Sequence, residues 1–157
     1  MFKLYEFYRK KGETAEQKTY NPFEVQGDAE ALFDTKLSNA LKATDEVFHF
    51  LLILDDVGTV IVQEFVGEGY MSPKLLSFKW DNGVEKLETT SYDVASDVKA
   101  EYYAKLGTAK RSANIQGIML RGVGARGEEI ISTYWVRPIE EPQESADNSE
   151  TNSEPNS

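Results

Sequence analysis

The chain has 157 residues, of which 27 are Asp or Glu and 17 are Lys or Arg, so its formal net charge is −10. This excess of negative charge repels phosphate groups, which argues against direct binding to nucleic acid or to an anionic membrane. Cysteine is absent, which excludes disulfides, thiolate metal sites and cysteine nucleophiles. Hydrophobic residues make up 40% of the chain, so its body is predicted to fold around a core.

The chain contains an internal duplication. The segment DAEALFDTKL at 28–37 aligns with DVKAEYYAKL at 97–106 at an offset of 69 residues. Upstream, FKLYEF at 2–7 resembles PKLLSF at 73–78 at an offset of 71, so one loop differs in length by two residues. Four single matches follow at the offset of 69, namely Leu51 with Leu120, Gly58 with Gly127, Ile61 with Ile130 and Phe65 with Tyr134. Because the blocks keep their order and spacing, we predict two repeats.

Each repeat is predicted to form a strand, a helix and a hairpin. In the first repeat, aromatic residues favour a strand over 2–9. A helix is indicated by apolar residues at spacings of three and four, with Asp28 or Gly27 as its expected N-cap. These apolar residues are Ala29, Leu32, Phe33, Leu37, Ala40 and Leu41. The hairpin consists of EVFHFLLIL, a turn at 55–58 and TVIVQEFV, and Gly58 is expected to adopt a positive φ.

The second repeat carries the same pattern. Its helix has an equivalent apolar stripe formed by Val98, Tyr102, Leu106 and Ala109. Ser96 or Asp97 is the expected N-cap, and Gly107 inside the helix is expected to weaken it by about 1 kcal/mol relative to Ala. The second hairpin consists of ANIQGIMLR, a turn through 122–127 and EEIISTYWV.

The predicted fold class is therefore α+β, with an internally duplicated β-α-β-β unit that contains two helices and about six mainly antiparallel strands. Repeats 1–70 and 71–138 are each too small to bury much surface alone, so we expect a shared core in a single compact domain, 1–138. The remaining segment, 139–157, has no aromatic and no basic residue, and we predict that it is a disordered acidic tail.

Charge is distributed unevenly along the chain. The tail holds six of the 27 acidic residues, which leaves 21 acids against 17 bases, a net charge of −4, on the body. Residues 1–70 hold 13 acids and 7 bases, a balance of −6, whereas residues 71–138 hold 8 acids and 10 bases, a balance of +2. We expect the basic residues of the second repeat either to be scattered on a solvated surface or to meet an acidic partner, including the first repeat of a neighbouring copy in a head-to-tail contact. The candidate partner-binding residues are Lys110, Arg111, Arg121 and Arg126.

Three features invite a chemical interpretation, and each also has a structural one. Residues 122–127 match the dinucleotide-binding pattern G-x-G-x-x-G, but that pattern requires a following helix, and the next residues predict a strand. Asp55 and Asp56 are adjacent on a turn, where two carboxylates do not converge on one ion, so we interpret them as solvated turn residues. His49, the single histidine, aligns with Ile118, which favours packing over catalysis or metal binding. We therefore predict no enzymatic activity, no cofactor and no metal site.

The helix and hairpin of each repeat share one pattern of residues. The first helix has the form A-x-F-x-x-K-L-x-x-A, followed by FLLILDDVG and a strand to Phe65, and its pattern residues are Ala31, Phe33, Lys36, Leu37 and Ala40. In the second repeat the pattern residues are Ala100, Tyr102, Lys105, Leu106 and Ala109, with the strands around Gly127. The pattern is similar to small uncharacterised proteins of phages and prophages of Gram-positive bacteria, whose genes often lie near virion structural genes. The second repeat departs from it at the turn, where Gly124 and Ala125 replace the two aspartates.

The sequence thus predicts a non-enzymatic phage-type protein that acts through protein–protein contacts, with a partner protein or with itself, as a virion or assembly component. The alternative is an anti-defence protein, an acidic inhibitor of a host nucleic-acid enzyme that mimics DNA. A third hypothesis, an enzyme for a small acidic or phosphorylated substrate near Arg121 and Arg126, has no obvious general base. Neither a signal peptide nor an apolar run of membrane-spanning length is found, so we expect no membrane contact and a location in the cytoplasm of a bacterial host cell or in the virion.

Overall fold

The computed structural model describes residues 1–139 and contains two helices and eight strands within them. In chain order the elements are β1 (Lys3–Lys10), β2 (Glu16–Thr19), α1 (Gln26–Lys42), β3 (Glu46–Leu54), β4 (Val60–Val66), β5 (Lys74–Asp81), β6 (Val84–Ser91), α2 (Ala95–Arg111), β7 (Ile115–Val123) and β8 (Glu129–Val136). The predicted α+β class with a duplicated unit is confirmed. Apart from Ile139, the predicted tail at 139–157 lies outside the described residues.

The strands form two four-stranded antiparallel sheets, one for each repeat. Sheet 1 has the strand order β2-β1-β3-β4, and sheet 2 has the order β6-β5-β7-β8. Equivalent residues pair in the same register, since Tyr5 faces Leu52 in sheet 1 as Leu76 faces Arg121 in sheet 2. β-bulges also occur at equivalent points of the central strands. The duplication detected in the sequence therefore extends to the backbone register of the central strands, whereas the edge strands β2 and β6 differ in length.

Two edge strands, β2 and β6, are absent from the predicted order of strand, helix and hairpin. β2 has the sequence EQKT and is fully exposed, and β6 has the sequence VEKLETTS with five exposed residues. Neither strand has the apolar alternation that predicts a half-buried strand. They form because β1 and β5 offer free edges with which they pair. Strand formation at these edges thus depends on tertiary pairing, and local sequence carries little signal for it.

Both helices begin before their predicted N-caps. The residues that precede them are Val25 and Val94, and neither makes a side-chain capping bond. Asp28 and Asp97 lie instead inside the first turn, where a negative charge interacts favourably with the helix dipole. The two aspartates therefore predicted the start of each helix to within one turn.

The two sheets pack face to face through a shared hydrophobic cluster. The segment 67–73 that joins β4 to β5 is called the linker. The cluster contains Tyr5, Phe7, Phe48, Phe50, Leu52 and Leu54 of sheet 1, Met71 of the linker, and Leu76, Phe78, Met119 and Val123 of sheet 2. On the outer faces, α1 packs Ala29 and Phe33 onto sheet 1, and α2 packs Val98 and Tyr102 onto sheet 2. Because strand residues alternate between faces, each sheet buries one set of side chains against the other sheet and one set against its helix. No helix within residues 1–139 is long and apolar enough to cross a membrane.

Two buried lysines contact the opposite repeat reciprocally. The Nζ atom of Lys3 lies 4.1 Å from the ring centroid of Phe78. Its equivalent, Lys74, lies 5.1 Å from the ring centroid of Phe7, which is the equivalent of Phe78. Such exchange of equivalent contacts is what a pseudo-two-fold axis between the repeats produces.

The turn glycines make a second reciprocal contact. Gly58 and Gly127 adopt φ values of +86° and +84°, which confirms the positive φ predicted for Gly58. A Cβ atom added at Gly58 would meet the Met119 side chain, and one added at Gly127 would meet the ring of Phe50. Since Phe50 and Met119 are equivalent residues, each hairpin turn packs on the other repeat at the same place.

Candidate functional site

The most polar part of the interior lies between sheet 1 and α1. Glu6 on β1 and His49 on β3 point to the helix side of the sheet, with side chains that are 4% and 8% exposed. His49 Nε2 lies 2.6 Å from Glu6 Oε2, and His49 Nδ1 lies 3.0 Å from Glu46 Oε1. The Tyr20 hydroxyl donates to Glu6 Oε1 at 2.6 Å, and the Tyr8 ring stacks on the imidazole with 5.1 Å between centroids. We call these five residues the His49 cluster.

The charges of the His49 cluster are set by competition between burial and hydrogen bonding. Burial alone would lower the pKa of His49, but its hydrogen bonds to Glu6 and Glu46 outweigh burial and raise that pKa. Burial alone would raise the pKa of Glu6, but the bonds to His49 and Tyr20 and the nearby charge of Lys36 lower it. The cluster therefore favours an imidazolium that donates from both ring nitrogens to two carboxylates.

The arrangement of the His49 cluster suits a structural role. A general acid or base must lie within hydrogen-bonding reach of a substrate proton. Here both imidazole nitrogens are occupied by carboxylates, and Tyr8 covers one ring face. Among residues 1–139, no group of three or more His, Asp or Glu side chains is arranged to hold a metal ion. The cluster thus fixes β1, β3 and the segment between β2 and α1, which carries Tyr20, relative to one another through paired charges and hydrogen bonds.

The equivalent place in sheet 2 is open. The strand register puts Ser77 at the position of Glu6 and Ile118 at the position of His49. Because Ser77 is short and Ile118 is apolar, these positions form no counterpart of the Glu6–His49 pair. A groove of about 360 Å³ remains between α2 and the outer face of sheet 2.

One end of the inner face of sheet 2 is exposed. Leu87 is 38% exposed, Tyr134 is 41% exposed and Val136 is 51% exposed. Leu87 lies on the edge strand β6, and Tyr134 and Val136 lie on the opposite edge strand β8. Trp80 on β5 lies between the two edges, with its ring edge-on to Tyr134 and 6.1 Å between ring centroids. We call these four residues the exposed end of sheet 2. Apolar side chains that cluster on a protein surface often mark an interaction site.

The equivalent end of sheet 1 is covered by the chain itself. Phe65, the equivalent of Tyr134, lies with its ring centroid 4.5 Å from the Arg126 guanidinium. The same guanidinium donates to the linker carbonyls of Gly67 at 3.1 Å and Gly69 at 2.9 Å. The linker and Arg126 therefore close sheet 1, whereas within residues 1–139 nothing closes sheet 2 to the same degree.

The four predicted partner-binding residues do not form one patch. Lys110 and Arg111 are exposed at the end of α2, close to the start of β7. Arg121 lies near the other end of β7, about 20 Å away at a strand rise of about 3.3 Å per residue. It is 7% exposed and pairs with Glu129 at 2.9 Å, and Arg126 binds the linker. Arg121 and Arg126 thus have intramolecular partners, and a partner-binding role for the set stays a prediction.

The two aspartates of the first hairpin turn, Asp55 and Asp56, make different contacts. Asp55 Oδ1 accepts hydrogen bonds from the backbone N–H groups of Val57 at 3.0 Å and Thr59 at 2.8 Å, which shapes the turn. Asp56 accepts a hydrogen bond from Lys3 Nζ at 3.0 Å. Burial alone would raise the pKa of Asp56, but the bonds from Lys3 and the amino terminus lower it. Asp56 thus lies on the turn with a side chain that is 48% exposed, as predicted, and it is in addition a counter-ion of the buried Lys3.

The glycine-rich segment 122–127 joins two strands. It runs from the end of β7 to the start of β8, and the N–H of Gly127 donates to the carbonyl of Gly124 at 3.0 Å. The helix N-terminus on which the dinucleotide-binding pattern relies is not present at this position. The segment is a hairpin turn, as its flanking sequence predicted.

The sequence pattern did not predict the roles of Glu6, Tyr20 and Glu46, and for His49 it favoured packing. His49 is buried, but its ring belongs to an ionic cluster and not to an apolar contact. The register between β1 and β3 is the signal that would have predicted the cluster. Antiparallel pairing of β1 with β3 places Tyr8 opposite His49, with Glu6 diagonal to it.

Comparison of the chain with protein-family models, with curated proteins and with solved structures gives no significant match. The fold and the sites define a duplicated α+β protein with two sheets packed between two helices. Its repeats share a backbone but present different surfaces.

Proposed function

We propose that this chain is a non-enzymatic assembly protein that acts through protein–protein contacts at the exposed end of sheet 2. The observation that carries this proposal is the contrast between the two sheet ends. Phe65 is covered by Arg126 and the linker, whereas its equivalent Tyr134 is 41% exposed beside Val136 and Trp80. Burial of these apolar side chains by a partner would remove them from water, which favours association.

The edge strand β8 supplies backbone groups for the same contact. It lies at the free edge of sheet 2, so one side of the strand has no neighbouring strand among the described residues. After Glu129 the sequence of β8 carries no charge, whereas the equivalent strand β4 carries Glu64 near its centre. The edge strands β2 and β6 also carry charged side chains. Charged residues protect an edge from pairing, so β8 is the edge best suited to strand addition.

The partner that we propose is a second copy of the chain. Antiparallel pairing of β8 with β8 of the second copy is symmetric and closes as a dimer. The two Glu129 residues then lie at opposite ends of the new ladder, so like charges do not face each other at its centre. A head-to-tail contact through the four basic residues is less favoured, because they do not form one patch. The resemblance to phage-encoded proteins supports an assembly role in the virion or in the host cytoplasm.

The oligomeric state tests this proposal. Native mass spectrometry and light scattering over a wide concentration range should detect a dimer of the full chain. Ser132→Lys places a charge at the centre of β8 and should give a monomer that retains the circular-dichroism spectrum of the wild type, because Ser132 is exposed. The matched control Thr19→Lys adds the same charge to the edge strand β2 and should still dimerise. A wild-type chain that stays monomeric at high concentration would refute the proposal.

The acidic inhibitor is a second candidate, and exposed carboxylates favour it. Eight of the 13 acidic residues of the first repeat have exposed side chains, namely Glu13, Glu16, Glu24, Asp28, Asp34, Asp45, Glu64 and Glu68. A chain ending after Arg137 should retain salt-sensitive binding to a basic nucleic-acid enzyme if the folded surface is the mimic. Loss of binding on this truncation would show that the tail acts only as a polyanion.

A further inference from the structure

The groove between α2 and sheet 2 has a largely apolar floor. The floor consists of Ser77, Ala109, Ile115 and Ile118, each between 3% and 5% exposed. Ala104 and Thr108 on the helix wall are exposed, so the groove opens to solvent. Its volume of about 360 Å³ lies within the range of small-molecule sites, which is about 300–1,000 Å³. A small ligand can therefore enter the groove without a rearrangement of the sheet or the helix.

Five charged side chains line the groove, and three of them already have partners. Lys105 Nζ on α2 donates to Glu88 Oε1 on β6 at 2.6 Å. Asp81 Oδ2 accepts a hydrogen bond from Lys86 Nζ at 3.0 Å. Within each pair the two charges neutralise each other, so neither pair determines which ligand charge the groove favours.

The other two charges have opposite signs and lie on opposite walls. Lys79 belongs to β5, on the sheet wall, and Glu101 belongs to α2, on the helix wall. Within residues 1–139 neither side chain forms an ion pair. The charge of Lys79 helps to lower the pKa of Glu88, and Glu101 lies one helical turn before Lys105. The groove thus offers one cation and one anion that form no direct salt bridge, above an apolar floor.

The first repeat shows which groups this place in the fold accommodates. There the equivalent space holds the His49 cluster, in which an imidazolium lies between the carboxylates of Glu6 and Glu46. Charges of both signs are thus stable between helix and sheet when each meets a partner. The second repeat lacks these side chains and leaves the space free.

We propose that the groove of the second repeat binds a small zwitterion with an apolar side group, which is the chemistry of a free α-amino acid. Its ammonium group pairs with Glu101, its carboxylate pairs with Lys79, and its side group lies over Ile115 and Ile118. The Ser77 hydroxyl adds a hydrogen-bond donor at the floor. A ligand of a single sign would leave one of the two wall charges unmatched, so it binds less tightly.

Three matched probes test the charge requirement on the full chain. Phenylalanine carries both charges, hydrocinnamate lacks the ammonium group and phenethylamine lacks the carboxylate. In methyl NMR titrations, phenylalanine should shift the signals of Ile115 and Ile118 and bind about tenfold more tightly than either analogue. A parallel series built on leucine tests a smaller side group.

Two substitutions assign the charges to the walls. Glu101→Gln should reduce the affinity for phenylalanine to that for hydrocinnamate, and Lys79→Met should reduce it to that for phenethylamine. Both side chains are half-buried, so the folded state should be retained, which a thermal melt checks. The control Glu13→Gln removes an exposed charge away from the groove and should leave all affinities unchanged. Absence of Ile115 and Ile118 shifts in both series, equal affinity for the three probes, or selectivity that survives both substitutions would each overturn the proposal.

Discussion

The two repeats have the same backbone and differ where side chains are polar. Register, bulges and the buried helix positions correspond one to one, as Phe33 and Tyr102 illustrate. The space between helix and sheet holds the His49 cluster in the first repeat and a groove in the second. The inner sheet end is covered in the first repeat and exposed in the second. The comparison teaches that apolar positions preserve the fold, while differences at polar positions give one repeat a buried ionic cluster and the other an open groove and an exposed sheet end.

The largest expected effect concerns the reciprocal glycine contact. Gly127→Ala should lower the free energy of unfolding by about 4 kcal/mol, because a left-handed φ and a collision with the Phe50 ring act together. Gly83→Ala is the matched control, since φ is +80° but no atom lies within 4 Å of the added Cβ, and it should cost about 1 kcal/mol. Gly58→Ala should fall between them, because the Met119 side chain is flexible. Urea denaturation measures all three, and equal costs would refute the contact.

A smaller loss of stability is expected when a residue of the first repeat is replaced by the equivalent residue of the second repeat. His49→Ile leaves the Glu6 carboxylate buried without its main partner, so the free energy of unfolding should fall by about 3 kcal/mol at mildly acidic pH. Adding Glu6→Ser, which also copies the second repeat, removes the unpaired charge and should restore part of the loss. Chemical denaturation of both variants gives the comparison. If the double variant is less stable than the single variant, the unpaired Glu6 carboxylate is not the cause of the stability loss in His49→Ile.

The same cluster predicts a pH dependence with a definite sign. The pKa of His49 is raised above its usual 6.5, so its contribution is complete below about pH 6.5 and is lost as the pH rises through the raised value. The pKa of Glu6 is lowered below its usual 4.5, so its contribution is complete above about pH 4.5 and is lost as the pH falls through the lowered value. The stability difference between wild type and His49→Ile should therefore be greatest between these two values. A difference that is independent of pH would contradict the ionic description.

The two buried lysines should respond in opposite directions. Lys3 pairs with Asp56 at 3.0 Å and with Glu85 at 3.1 Å, so Lys3→Met should destabilise the protein by about 2 kcal/mol. Lys74 bonds only to the Ser91 hydroxyl among the described residues, and burial lowers the pKa of its ammonium group. Lys74→Met should therefore stabilise the protein by about 1 kcal/mol. Thermal melts at neutral pH compare the variants, and changes of the same sign would refute the asymmetry.

The smallest expected effect concerns the cover of sheet 1. Arg126→Ala removes two hydrogen bonds to linker carbonyls and the contact with Phe65, and should cost about 1 kcal/mol. The equivalent residue of the first repeat, Val57, is 45% exposed, so Val57→Ala is a control that should cost close to nothing. Calorimetry resolves the difference. Equal Tm values for the two variants would indicate that Arg126 does not hold the linker.

Local periodicity was sufficient to predict the helices, the hairpins and the duplication. The stripe through Ala29, Phe33 and Ala40 is buried, as is the equivalent stripe in α2. The edge strands β2 and β6 could not be predicted in this way, because pairing with a neighbour and not side-chain burial creates them. The His49 cluster depends on a register between strands that lie about forty residues apart. Arg126 was placed on the surface correctly, but its linker partners are set by the packing of one repeat on the other.

The reciprocal contacts also affect which substitutions the two repeats can accept independently. In a symmetric dimer of one unit, every substitution appears twice, so a change that suits one side of the interface must suit the other. Here the linker joins the two units in a single chain, and equivalent positions vary independently. Lys3 has two carboxylate partners, whereas Lys74 has a hydroxyl and an aromatic ring. Covalent joining thus turns a two-fold constraint into two separate sets of residues, and a mutation in one half is not repeated at the equivalent position of the other.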